Sequence, residues 1–280
     1  MGIANYRRPL VFYGLSICIP WALWFGAAYL SHITPGNSAL TLAASIFGIA
    51  GLIAPTVVAF FLIFPDGELR RDALSRLMPT RATKPIYLLM TCFLMLASIL
   101  LAQAISLLFG HSTDQFRLAD TASFTAGIFS PWFLLFAAPI LEELAWHSYG
   151  TDCLRQKFNL FTTSIIFAIF WAFWHLPLTF IKGYYQANVA EQGLIYSINF
   201  SVSLIPYVLI MNWLYYKTNR NILVAIVFHI TANLFNTIFA THPDSKVIQT
   251  GLLLVLTLVL LVRDPDFFFK RSLPPNRQAS

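Results

Sequence analysis

The sequence predicts an all-α membrane protein, a polytopic bundle of about eight transmembrane helices. Three observations predict it. Charged residues make up only 11% of the 280 positions, against 58% hydrophobic, and the mean hydropathy is +0.68. The apolar residues fall into eight runs, most of them near the ~20 residues a spanning helix needs. The basic residues sort to alternate connections between those runs. An average soluble domain carries roughly 25% charged residues. A soluble fold of this length could not cover its surface with so few charges, so lipid is the solvent for most of the chain.

The expected helices cover Leu10–Leu30, Ala39–Phe64, Pro85–Phe109, Ile128–Tyr149, Leu160–Ile181, Leu194–Tyr216, Ile222–Ala240 and Val247–Val262. In a bilayer every backbone polar group must be satisfied within the segment, which makes these runs helices. The ten-residue alternation of barrel strands is absent. The first run is as long as a full span and lacks a small-residue cleavage site, so it reads as a retained helix. Three regions are expected: residues 1–127 with the first three helices, 128–241 as a catalytic core of four, and 242–280 as the last helix and a basic tail. Cys18, Cys92 and Cys153 are far apart with no C-x-x-C pattern, which argues against a disulfide framework or zinc knuckle.

With both termini in the cytoplasm, fifteen of the eighteen Lys and Arg residues fall on inside segments. Only Arg117, Lys182 and Lys246 fall outside. That asymmetry is a topology signal. It also accounts for the net charge of +6 without nucleic acid, since the basic residues alternate with apolar runs and form no single soluble face. Phe267, Phe268 and Phe269, just before Lys270 and Arg271, are expected to grip the cytoplasmic interface. The expected setting is thus an integral membrane protein, in the plasma or inner membrane if the source is bacterial, with the lipid bilayer as a constant partner.

Of the twelve acidic residues, only Glu142 and Glu143 lie inside an apolar run. A charge at helix centre costs roughly 2.5–3.5 kcal/mol on insertion scales. Two adjacent ones are either a structural pair between helices or part of an active site, and an intramembrane ionisable group is by default read as functional. His175 and His229 also lie in apolar runs, and Asn233 follows His229 by four residues on the same helical face. Either histidine alone would read as a satisfied core residue. Together with two carboxylates and an amide, on three helices, they are expected to share one polar cavity. A Glu–His pair suits taking a proton from water, and a histidine with an amide suits donating to an oxyanion. Those parts can hydrolyse an amide bond. The same Glu142, His175 and His229 could alternatively hold zinc or another divalent ion that activates the water. There is no H-E-x-x-H, no G-x-S-x-G and no Gly-rich phosphate loop.

Three motifs, in order, carry a resemblance. They are Glu142-Glu143-Leu144-Ala145-Trp146-His147, Trp171-Ala172-Phe173-Trp174-His175 and His229-Ile230-Thr231-Ala232-Asn233. This pattern over roughly residues 139–236 resembles the CAAX prenyl protease and bacteriocin-processing (CPBP, or Abi) family of intramembrane proteases. The resemblance implies an eight-helix bundle and a site opening toward the cytoplasmic leaflet. Its substrate would be a membrane-associated or leader-type peptide or protein. It implies Glu142 as the water-activating residue with His175 as partner, His229 and Asn233 as the oxyanion pair, and Glu143 and Trp171 in support. Members have also been viewed as metalloproteases, so zinc, another divalent ion or no metal all stay open.

One residue departs from the pattern: the first motif usually ends in Arg, and here that position is His147. Arg at i+4 could neutralise Glu143, whereas His does so only when protonated. Three readings follow: an active enzyme with a pH-dependent pair, another cation such as Arg155 taking the role, or a degenerate member acting as a binding or immunity protein. A transporter using the carboxylates as a proton relay is a further alternative, without the paired broken helices that would support it. A break near Pro177 would bring His175 level with the other groups.

Overall fold

A computed structural model describes residues 5–33, 38–78 and 84–271. Arg81 and Arg277, counted above with the basic segments, lie outside the described residues. The described chain is helical almost throughout, with only isolated bridges at Leu118–Phe239 and Ala126–Phe129. In order the helices are α1 (Pro9–Ile33), α2 (Ser38–Ile63), α3 (Gly67–Ser75), α4 (Pro85–Ser106), α5 (Pro131–Ala145), α6 (Thr151–Arg155), α7 (Leu160–Trp174), α8 (Tyr185–Gln192), α9 (Leu194–Lys217), α10 (Ile222–Ile238), α11 (Pro243–Arg263) and α12 (Pro265–Phe269). Local chemistry sets many of these ends. Proline opens α4, α5, α11 and α12, where a missing N–H costs nothing. Asp66, Asn159 and Asn221 cap α3, α7 and α10 through their side chains.

Each of the eight expected runs is helical. Six stretches are long and apolar enough to cross a membrane: Pro9–Ile33, Ser38–Ile63, Pro85–Phe109, Leu160–Phe180, Leu194–Lys217 and Pro243–Arg263. The other two runs differ from a plain span. α10 is apolar but has only 17 residues. The fourth run is α5 followed by a π-helical turn at Trp146–Gly150, and α6 lies beyond its end. The molecule is an integral membrane helical bundle. Large apolar side chains such as Leu10, Phe61, Val255 and Val262 point outward, as lipid contact requires.

α1 packs along α2, α2 against α5, and α10 against α4, α5 and α9. These contacts surround α5 and α10, which carry the first and third motifs. α12 folds back on the bundle. Phe268 is fully buried, Phe269 meets Phe161, and the Lys217 ammonium lies 4.0 Å from the Phe267 ring centroid. The aromatic triplet thus closes onto protein.

Candidate active site

Helix α7 ends at Trp174, and Leu176–Phe180 continue as a 3₁₀ turn with Pro177 in its first turn. The break falls beside His175, where the sequence placed it. Proline has no N–H for an α ladder and its ring fixes a tight entry. The turn carries His175 over the cavity that α5 and α10 reach from their own sides. That cavity, of about 390 Å³, is lined by Glu142, Trp171, His175, His229 and Asn233 together. The sequence-derived set converges, with two exceptions, Glu143 and His147, which are fully buried behind the lining. Glu142, by contrast, keeps 5% exposure into the cavity.

The two glutamates face different partners because adjacent helical positions project about 100° apart. Glu142 Oε2 accepts hydrogen bonds from Trp171 Nε1 at 3.0 Å and from Trp146 Nε1 at 3.4 Å. The indoles fix the carboxylate without adding charge. Glu143 lies between two imidazoles: its Oε1 is 2.7 Å from His229 Nδ1, and its Oε2 contacts His147 Nδ1. His147 Nε2 lies 2.9 Å from Asn212 Oδ1, and Asn212 Nδ2 donates to Ser164 Oγ at 2.9 Å. His147 is therefore held from both ring nitrogens. Arg155, the other cation considered for this role, donates to the Phe158 carbonyl at 2.8 Å instead.

The histidines facing the cavity are also oriented. His175 Nδ1 lies 2.7 Å from the Trp171 carbonyl, an acceptor, so Nδ1 carries the proton. His229 Nδ1 meets Glu143 in the same sense. In both rings Nε2 is left for the cavity. Asn233, one turn beyond His229, is half-buried on the same lining.

As donors, a carboxylate and two neutral imidazoles held at Nδ1 by a carbonyl or carboxylate suit a metal ion. Convergence is the second requirement. Among the described residues, the set whose ligand atoms all lie within 4.8 Å of one another is His111, His242 and Asp244 at the surface, not Glu142, His175 and His229.

Sequence reasoning missed three neighbours. Asn212 is the amide in an otherwise apolar stretch of α9, a signal of the same kind that marked Asn233. Trp146, inside the first motif, reads as an ordinary core aromatic until its indole meets Glu142. Tyr207 lines the cavity with a buried hydroxyl that has no hydrogen-bond partner.

Residues 124–235 match the family described as Type II CAAX prenyl endopeptidase Rce1-like. The chain is also 32% identical over 272 residues to a curated protein of Methanococcus maripaludis named CAAX prenyl protease 2. That match spans 96% of this chain and 99% of the relative. The chain belongs to this family. It is a CAAX prenyl protease-like intramembrane endopeptidase, as its three motifs indicate, and the match runs through α1–α4 as well as the motif-bearing helices.

The cavity opens at one end of the bundle. Its rim comes from Ser123 and Phe124, from α8, from Tyr196 and Asn199 near the start of α9, and from Asn236 to Lys246 between α10 and α11. All of these lie on the face whose connections carry only Arg117, Lys182 and Lys246.

Proposed function

We propose that the protein hydrolyses a peptide bond of a membrane-held or leader-type polypeptide, using water activated by Glu142. The observation that carries this is the carboxylate held by two indoles at the wall of a cavity that also receives His175 Nε2 and His229 Nε2. A water on the unbonded oxygen of Glu142 gives up a proton to that carboxylate and attacks the scissile carbonyl. His175, with Nδ1 committed to Trp171, offers Nε2 as the partner that relays the proton to the leaving amine. Asn233, and His229 in its imidazolium form with Glu143 as counter-ion, donate to the developing oxyanion. Glu143 and His147 act through His229 and do not meet substrate.

The test uses quenched fluorescent peptides, with and without a lipidated cysteine near the carboxyl end, and protein purified in detergent. Glu142→Ala should abolish turnover while the protein stays folded. Asn233→Ala should lower kcat by about 10²–10³, the usual loss of one oxyanion donor. Equal cleavage by Glu142→Ala would overturn the assignment. Metal analysis of the active protein, together with His175→Ala and His229→Ala, decides the cofactor question directly.

A further inference from the structure

His111 lies in the connection after α4, His242 in the connection between α10 and α11, and Asp244 in the first turn of α11. The fold stitches these two connections together. Ala119 N–H donates to the Ile238 carbonyl at 2.8 Å, and Ala240 N–H donates to the Arg117 carbonyl at 2.9 Å. Beneath them Gln103 Nε2 donates to Thr241 Oγ1 at 2.8 Å and to the Gln115 carbonyl at 2.9 Å. Ser245 Oγ donates to Gln115 Oε1 at 2.6 Å. Gln103, Gln115 and Ser245 are buried. The segments that carry the two histidines and the carboxylate are therefore fixed to one another.

The three side chains meet around one point. The His111 and His242 rings lie with centroids 4.2 Å apart and planes 35° from parallel. His111 Nε2 is 3.3 Å from Asp244 Oδ2, and His242 Nδ1 is 3.6 Å from the same oxygen. The other carboxylate oxygen, Oδ1, accepts from the Tyr196 hydroxyl at 2.8 Å. That bond fixes the carboxylate with Oδ2 toward the imidazoles, as an outer partner orients a metal ligand. His242 Nδ1 accepts the Asp244 N–H at 3.2 Å, so it carries no proton. It stands beside a carboxylate oxygen with no hydrogen between them. A proton on His111 answers one of these contacts, whereas a cation answers all three.

The donor set selects the cation. Two imidazole nitrogens and one carboxylate oxygen suit zinc and its first-row neighbours, while calcium and magnesium take oxygen ligands. The three ligand atoms lie within 4.8 Å of one another. Ligands of a four-coordinate zinc stand about 3.3 Å apart, given its bond lengths. The His242 and Asp244 side chains are 46% and 47% exposed, so a small rotation closes the difference and water completes the shell.

We propose that His111, His242 and Asp244 form a binding site for a divalent first-row ion of the zinc class, separate from the catalytic cavity. None of the three lines the cavity that holds Glu142, and none takes part in peptide hydrolysis. The bound ion is a clamp. It ties the connection after α4 to the start of α11 and, through the Asp244–Tyr196 bond, to the start of α9.

The test is metal binding by the full chain in detergent, stripped with a chelator and free of any polyhistidine tag. Glu142→Ala and His175→Ala together form the background, so that binding in the cavity does not enter the count. Equilibrium dialysis against zinc should find one ion per chain at micromolar free zinc. Outer partners of a metal alone matter by about 10–100-fold, so losing a ligand in His111→Ala or His242→Ala should weaken binding by at least about tenfold. His32→Ala, a histidine elsewhere in the chain, should bind as the background does. Zinc should also raise the melting temperature of the background protein and leave that of His111→Ala unmoved. Binding only at millimolar zinc overturns the site, as does equal binding or an equal rise in melting temperature with His111→Ala. If His111→Ala loosens the fold, His111→Phe keeps a ring against His242 and removes the ligand nitrogen. Zinc lost in His111→Phe supports the site, and zinc retained there overturns it.

Discussion

At the scale of single residues, the substitution of His for the family's Arg is absorbed locally. Arg at position 147 would supply a fixed charge and several donors. His147 supplies two nitrogens, and the fold uses both, one on Glu143 and one on Asn212. The effect is to hold Glu143 where it orients His229. Partners that orient a working imidazole typically matter by about 10–100-fold. His147→Ala and Asn212→Leu should each lower kcat by about that factor, with KM little changed because neither residue lines the cavity. A rise in KM at constant kcat would show that they act on substrate binding instead. The pair Glu142–Glu143 was legible as important because lipid penalises charge. Their separate roles were implied by the motif resemblance, but what each carboxylate faces was not legible, because it depends on what α7, α9 and α10 bring to each side.

At the scale of elements, two departures from regular helix build the site. A π turn pairs i with i+5 and leaves carbonyls without their usual α partners. Here those of His147 and Ser148 are taken by the Arg76 guanidinium, whose planar fork reaches both. The α3 connection thus supports the turn that carries His147. The second device is close approach of α1 to α2. A Cβ at Gly51 would lie 2.4 Å from Trp24 Nε1, and that indole donates to the Gly48 carbonyl at 2.9 Å. Trp24 in turn meets Trp174 with ring centroids 4.5 Å apart, and Trp174 meets His175 at 5.0 Å. Gly51→Ala must displace Trp24 from this wall and should cost about 1–3 kcal/mol, the range for overpacking a core. Gly14→Ala, where nothing lies within 4 Å, is the matched control and should not lower stability. Thermal melts in detergent compare the two; equal melting would show that the α1–α2 contact is slack.

At the scale of the whole molecule, the ion network at the basic end ties together distant parts of the chain: the amino-terminal segment, α3, α6 and the α9–α10 turn. Burial works against the charge on Asp152, but Arg220 and then Arg76 hold its carboxyl below the usual range. A carboxylate depressed on folding stabilises the fold above its unfolded value, near 4, and that contribution is lost as pH falls toward the lower folded value. The melting temperature should therefore hold down to about pH 4 as far as this group is concerned, then fall. Asp152→Asn should remove that part of the acid slope. At neutral pH it should cost about 3–5 kcal/mol, because Arg76 and Arg220 stay buried with one carboxylate between them. A neutral-pH melt unchanged by Asp152→Asn would show that water reaches the network.

The sequence by itself determined the helical membrane class, the positions of the eight runs, the break after His175 and the set of residues that meet at the cavity. Each follows from a local or one-dimensional rule: apolar length, proline chemistry, the cost of charge in lipid and motif order. Only the tertiary structure decided that Glu142 faces the cavity while Glu143 faces two histidines, and that Asp72 and Asp152 are buried partners of Arg76 and Arg220. Those outcomes depend on which helix stands beside which. Charge and hydropathy along the chain record how deep a residue sits, but not what stands across from it.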